Sequence, residues 1–137
     1  MIRCAESNDA AAILRLTRDF STSFATDEEA FHVSFAALLT DSNVHFAVAE
    51  VDGRIVGYVL AFSHCTLHAN GRVAWVEEIT VEALYRRRGI GRALMRNVEN
   101  WAADHGCKLV ALATRRASDF YEANGYEKSA TFYRKIL

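Results

Sequence analysis

The sequence of 137 residues contains no proline at all, where average usage would place about seven. No proline-rich linker interrupts it, and no repeat or low-complexity segment appears. Cysteine is scarce: Cys4, Cys65 and Cys107 stand far apart and form no CxxC pair. An odd count at that spacing suggests neither a disulfide framework nor a zinc ribbon, and points to reduced thiols in a cytoplasmic protein. Charge of one sign is also lacking. Lys plus Arg number 16 against 17 Asp plus Glu, a formal net charge of −1. A general nucleic-acid binder would carry a basic excess, and nothing favours strong attraction to an anionic membrane. Long apolar runs are missing too. Ile55 to Phe62 contains Gly57 and is too short to span a bilayer. The opening Met1-Ile2-Arg3-Cys4-Ala5-Glu6 has no apolar h-region. What is present is a 51% hydrophobic, 24% charged composition, which suits one globular domain over residues 1–137 with a core of its own.

The periodicity predicts a mixed α/β fold. Ile2 to Ala5 reads as a short strand. Ser7-Asn8-Asp9 offers caps for a helix carrying Ile13, Leu14 and Leu16. Asp27-Glu28-Glu29 opens a second helix, with Phe31, Phe35, Leu38 and Leu39 on one side. These phenylalanines, with Phe46, are expected in the core. Val44 to Val51 alternates as a strand, with Phe46, Val48 and Glu50 on one side, and Asp52-Gly53 is a hairpin signal. Arg54 to Phe62 returns, a polar loop spans His64 to Asn70, and Val73 to Val81 is a further strand. Ile90, Ala93, Leu94, Val98, Trp101 and Ala102 then form a helical stripe that Gly106 ends. Leu109 to Ala113 reads as a strand and Ala117 to Ala123 as a short helix ended by left-handed residues at Asn124-Gly125. Tyr126 to Leu137 reads as a closing strand.

Chemistry concentrates where the strand at Val81 turns into the helix. The free N–H groups of a helix's first turn, together with its dipole, form an anion site. Gly89 and Gly91 allow close approach, and Arg86, Arg87, Arg88 and Arg92 surround the turn with positive charge. A phosphate-bearing ligand is therefore expected. The segment has neither the lysine of a Walker loop nor a third glycine at Leu94 for a dinucleotide fingerprint.

Arg86-x-x-Gly89-x-Gly91 after a β-rich stretch resembles the acetyl-CoA pyrophosphate loop of the GCN5-related N-acetyltransferases. Ile2-Arg3…Ala5…Asp9…Ile13…Leu16 looks like that family's opening, and Ala117…Phe120-Tyr121-Glu122…Gly125-Tyr126 looks like its late motif. The closing run from Phe120 to Ser129, with Phe132 and Lys135, is similar to aminoalkylphosphonate N-acetyltransferases, as is the Phe31-to-Asp41 helix followed by a strand. The resemblance implies a central mixed, mostly antiparallel sheet flanked by about four helices. It implies transfer of an acetyl group from acetyl-CoA to a primary amine of a small molecule, by direct attack in a ternary complex. Ile79, Thr80 and Val81 would lie along the pantetheine arm. Arg86, Arg87, Arg88, Gly89, Ile90, Gly91, Arg92 and Ala93 would surround the pyrophosphate, and Thr114, Ala117 and Phe120 would complete the pocket. Tyr121 would face the sulfur as an acid.

The base is sought at Glu78 and Glu77, because adjacent strand residues face opposite ways and only one enters the site. Glu78 is the first choice, because the families this chain resembles often carry an acid there. Two alternatives stay open: a protein N-terminal or lysine acetyltransferase of the same fold, and a non-catalytic acyl-CoA-binding module. His64, Cys65 and His68 lie in the expected loop, so no metal site is expected from them. A homodimer is possible on this reading.

Overall fold

The computed structural model describes residues 1–20 and 23–137. It contains β1 (Ile2–Cys4), α1 (Ala10–Phe20), α2 (Glu28–Leu39), β2 (Val44–Val51), β3 (Arg54–Thr66), β4 (Gly71–Val81), α3 (Ile90–Asp104), β5 (Val110–Leu112) and α4 (Ser118–Ala123). The strands form one sheet in the order β1-β2-β3-β4-β5. The first four pair antiparallel, and β5 lies parallel to β4 after the α3 crossover. The mixed, mostly antiparallel sheet with four helices matches the expectation.

Local chemistry sets these bounds. Asp9 fixes the start of α1: its carboxylate accepts from the Glu6 N–H at 2.8 Å and takes a two-point contact from Arg3 on β1, at 2.8 and 2.9 Å. The Arg3 guanidinium, which holds Asp9 below its usual pKa, outweighs the burial that would raise it. Asp27 caps α2 by accepting from the Ala30 N–H at 2.9 Å. Asp52 and Gly53 both adopt positive φ, +51° and +75°, as the tight β2–β3 hairpin requires.

Two apolar layers sandwich the sheet. Ile13, Leu16, Phe35, Phe46, Val48, Tyr58 and Leu60 pack under α1 and α2. Ala47, Val59, Ala61, Val76, Leu94, Met95 and Val98 pack under α3, and Tyr121 joins them from α4. A bulge changes the phase of β4. Val76 pairs with Ala61 and Glu78 with Leu60, so Glu77 is the extra residue. In a regular strand Val76 and Glu78 would share a face. Here Val76 packs toward α3, while Glu78 lines a cavity on the α1/α2 side.

Several expectations need correction. β3 runs on to Thr66, so His64 and Cys65 belong to the strand and the turn is confined to residues 67–70. In α3 Ala93 is exposed, and Met95 takes its place in the buried stripe. Only Gly125 is left-handed after α4, at φ +89°, whereas Asn124 has φ −98°. The closing strand does not form. Residues 127–137 are exposed and pair with no strand among the described residues. Strand propensity measures fit to a pleated, half-buried surface, and this segment lies off the sheet. It is tied instead by Phe132 stacking on Trp75 and by Arg134 donating to the Ser23 hydroxyl at 2.9 Å.

Candidate active site

The site begins where β5 stops. The β4–β5 ladder joins Ala74, Trp75 and Val76 to Val110, Ala111 and Leu112 and then ends. From Glu77 to Val81 the outer edge of β4 faces no strand among the described residues. On the β3 side, the Glu82 N–H donates to the Val56 carbonyl at 2.7 Å. Antiparallel alternation then turns the peptide groups of Thr80 and Glu78 toward β3, and those of Ile79 and Val81 toward the open edge. The edge thus offers N–H and C=O groups to an extended ligand. Of the three residues expected there, Ile79 and Val81 present backbone and Thr80 does not.

Beyond Val81 the chain turns through Ala83–Tyr85 and enters α3. Arg87 sits at φ +61° and Gly89 at φ +82°. Nothing lies within 4 Å of a Cβ built on Gly89, so the glycine is needed for its φ rather than for room within the protein. The first intrahelical bond runs from the Ala93 N–H to the Gly89 carbonyl at 3.0 Å. The N–H groups of Ile90, Gly91 and Arg92 are therefore free to meet an anion. Arg86 is partly engaged, its Nε donating to the Val81 carbonyl at 2.9 Å. Arg88 lies over the Tyr85 ring at 5.2 Å. None of Arg86, Arg87, Arg88 and Arg92 forms an ion pair with a carboxylate among the described residues. Arg92 and Arg96 line a shallow groove against Asn124 at the end of α4.

The late motif closes against this turn. A Cβ on Gly91 would lie 3.4 Å from the Phe120 ring, and Phe120 meets Tyr121 edge-on at 5.0 Å. Tyr121 is buried, and no group among the described residues accepts from its hydroxyl. Burial pushes its pKa up, so at neutral pH it is a phenol with a hydrogen to give. The Thr114 hydroxyl accepts from the Ala117 N–H at 3.1 Å and so shapes the entry to α4.

The two glutamates part company. Glu77 is exposed and accepts from the Trp75 indole at 3.0 Å. Glu78 lines a cavity of about 90 Å³ under α1 and α2, with Thr17, Phe31, Phe35, Phe46 and Tyr58 among its walls. Tyr58 donates to Glu78 Oε1 at 2.7 Å. Burial raises the Glu78 pKa, the Tyr58 hydrogen bond lowers it, and the net shift is upward. Phe31, Phe35 and Phe46, expected only as core, also form walls of this cavity. Tyr58 and Thr17 went unnoticed in the sequence. The available signal was a lone hydroxyl in the apolar run Ile55–Phe62, since a buried tyrosine needs a partner. His64 and His68 lie toward the far turn of the β3–β4 hairpin and contribute nothing to the cavity walls. Among the described residues no three His, Cys, Asp or Glu side chains cluster as a metal site would require.

An open strand edge that runs into a helix N-terminus, beside a half-buried carboxylate and an unengaged phenol, has the features of an acyl-transferring enzyme for a long phosphate-bearing donor. The chain belongs to the acetyltransferase (GNAT) family, whose model matches residues 10–126. It is an acetyl-CoA-dependent N-acetyltransferase. Over 115 residues it is 33% identical to an aminoalkylphosphonate N-acetyltransferase of Salmonella typhimurium, covering 81% of this chain and 75% of that protein. It is 34% identical over 143 residues to a thialysine N-epsilon-acetyltransferase of Bos taurus, covering 91% and 82%. The fold is shared with glucosamine-6-phosphate N-acetyltransferase of Arabidopsis thaliana, at TM-score 0.88 and 19% identity over 100% of this chain and 97% of that one. It is shared too with AAC(6')-Iy bound to the bisubstrate analogue CoA-S-monomethyl-acetylneamine, at TM-score 0.84 and 22% identity over 100% and 98%. No helix among the described residues is long and apolar enough to cross a membrane.

Proposed function

We propose that the protein acetylates a primary amine of a small molecule by direct attack within a ternary complex. The observation that carries this reading is the placement of Glu78. It lies in a cavity roofed by α2, with the open edge of its own strand beside it. An acceptor reaching Glu78 enters a small, half-open space lined by Phe31, Phe35 and Phe46, which suits a compact amine better than a polypeptide segment. The Salmonella and Bos relatives carry names of small-molecule acetyltransferases, which favours the same choice.

Each residue then has a task. The edge groups of Ile79 and Val81 hold the pantetheine amides. The free N–H groups of Ile90, Gly91 and Arg92 hold the pyrophosphate, with Arg86, Arg87, Arg88 and Arg92 supplying charge. The turn at Gly89 gives the helix its entry, Ala93 closes the first turn, and Thr114, Ala117 and Phe120 set the wall that carries Tyr121. Glu78 accepts a proton from the amine as nitrogen bonds to the thioester carbon. Tyr121 gives its hydrogen to the departing sulfur and regains one from water, while Glu78 releases its proton to solvent. Glu77, exposed and bonded to the Trp75 indole, takes no part.

The test is thiol release from acetyl-CoA across a panel of amines containing aminoalkylphosphonates, thialysine, glucosamine 6-phosphate and an N-terminal peptide. Turnover of at least one small amine, with intersecting double-reciprocal lines, is expected. Turnover of the peptide alone, or parallel lines, would overturn the reading. Binding of acetyl-CoA with no turnover of any amine would favour a non-catalytic module.

A further inference from the structure

Behind Glu78 stands a chain of hydroxyls that the reaction as described does not use. Tyr58, 1% exposed, pairs across the ladder with Thr80 and sends its phenol to Glu78 Oε1 at 2.7 Å. On its other side the same phenol lies 3.2 Å from Thr17 Oγ1. Thr17 in turn donates to the Ile13 carbonyl at 2.8 Å, one turn back along α1. The line therefore runs carboxyl, phenol, hydroxyl, carbonyl.

The hydrogens in this line can be counted. With Glu78 ionised, Tyr58 donates to the carboxylate and Thr17 to Ile13. No hydrogen is left for the Tyr58–Thr17 contact, where two oxygens face each other. With a proton on Glu78 Oε1, the carboxyl donates to Tyr58, Tyr58 turns its hydrogen to Thr17, and Thr17 keeps its bond to Ile13. Every hydroxyl then gives one hydrogen and accepts one. Rotating one O–H bond gives every hydroxyl hydrogen an acceptor in both states, and only the protonated state adds the Tyr58–Thr17 bond.

We propose that Tyr58, with Thr17 behind it, is a positioning residue that holds Glu78 in place and keeps it satisfied both before and after it takes the proton of the acceptor amine. The inference rests on Glu78 as the base. Other groups acting on Glu78 are few. The cavity walls from α1 and α2 are Ile13, Thr17, Phe31, Ser34, Phe35 and Leu38, none titratable. Tyr58 faces it from β3, and the Glu77 charge beside it on β4 pushes its pKa up.

Two substitutions shift the balance in opposite senses. Tyr58→Phe removes the donor to the ionised carboxylate, so the Glu78 pKa should rise by about one pH unit, the size expected for one hydrogen bond to a charged group. Thr17→Val leaves that donor in place but removes the acceptor for the phenol hydrogen in the protonated state. The Glu78 pKa should then fall, by less.

The measurement is a ¹³C NMR pH titration of the protein labelled at glutamate side-chain carboxyls. The Glu78 signal is assigned by its loss in Glu78→Gln, and folding is checked by circular dichroism. Opposite displacements in the two variants are expected, and the acid limb of kcat/KM for an amine turned over in the panel should follow them. Should Tyr58→Phe fail to fold, the fall in Thr17→Val carries the test alone. Unmoved titrations, or displacements of the same sign, would overturn the proposal. If the titrations move as expected while Glu78→Gln keeps the wild-type rate, the assignment of Glu78 as base fails, and with it the proposed task of Tyr58 and Thr17 in turnover.

Discussion

At the residue scale, Tyr121 and the two glutamates carry the chemistry, and each responds differently to the loss of one functional atom. A phenol that stabilises developing charge on sulfur lowers the barrier without adding to ground-state affinity. Tyr121→Phe keeps the ring among Phe120, Tyr126 and the α3 cluster. It should lower kcat by roughly 10- to 10³-fold with acetyl-CoA affinity unchanged, as steady-state rates and calorimetric titration of one preparation will show. Glu77→Gln should leave kcat/KM within about twofold, since a side chain that accepts only from Trp75 on the exposed side has nothing to transfer. The pair also marks the limit of the sequence. Alternation indicated that only one of two adjacent acids enters the site. The bulge that turns Glu78 away from the Val76 face arises from the pairing of β4 with β3, and no local residue type announces it.

At the element scale, the loop before α3 was legible because its physics is local. A positive-φ glycine, a cluster of arginines and an amphipathic helix are each written in adjacent residues. Gly89→Asp tests the loop. It places a side chain at φ +82° and a negative charge at the helix N-terminus where the pyrophosphate is proposed to sit. Acetyl-CoA affinity should fall at least about tenfold, which is roughly 1.4 kcal/mol, measured by calorimetry on folded protein. The hairpins were legible for the same reason, Asp52-Gly53 above all. The final strand was not, because residues 127–137 have strand-forming side chains but no partner edge to meet. The polar letters from His64 to Asn70 read as loop, yet the ladder carries β3 to Thr66, pairing His64 with Val73 and Thr66 with Gly71. Pairing across the hairpin overrides local polarity.

At the scale of the whole molecule, the buried Asp9 and the half-buried Glu78 give stability opposite dependences on pH. Asp9 is held below its usual pKa by Arg3. Its contribution is complete above the unfolded aspartate value and is lost as pH falls through the folded one. Asp9→Asn should therefore cost about 2 kcal/mol near pH 7, and less as the pH falls below the usual aspartate range, by urea unfolding. Glu78 is the reverse case. Its pKa is raised by burial, so the stability it permits is complete below the unfolded glutamate value and is lost as pH rises through the folded one. Glu78→Gln should raise Tm above that of the wild type at pH 8, with the difference shrinking toward pH 4. A gain in stability at the position proposed to cost activity is the trade expected of a functional site.

The central claim is that a half-buried carboxylate on β4, lining the α1/α2 cavity, draws the proton from the acceptor amine. Its most direct test is kcat/KM as a function of pH for wild type and Glu78→Gln, with acetyl-CoA and a small amine turned over in the panel. The expected result is a loss of roughly 10²-fold or more near neutral pH, with the enzyme's acid limb gone from the variant profile and acetyl-CoA affinity intact. A Glu78→Gln enzyme with the wild-type profile would contradict the claim and move the proton to water or to another group.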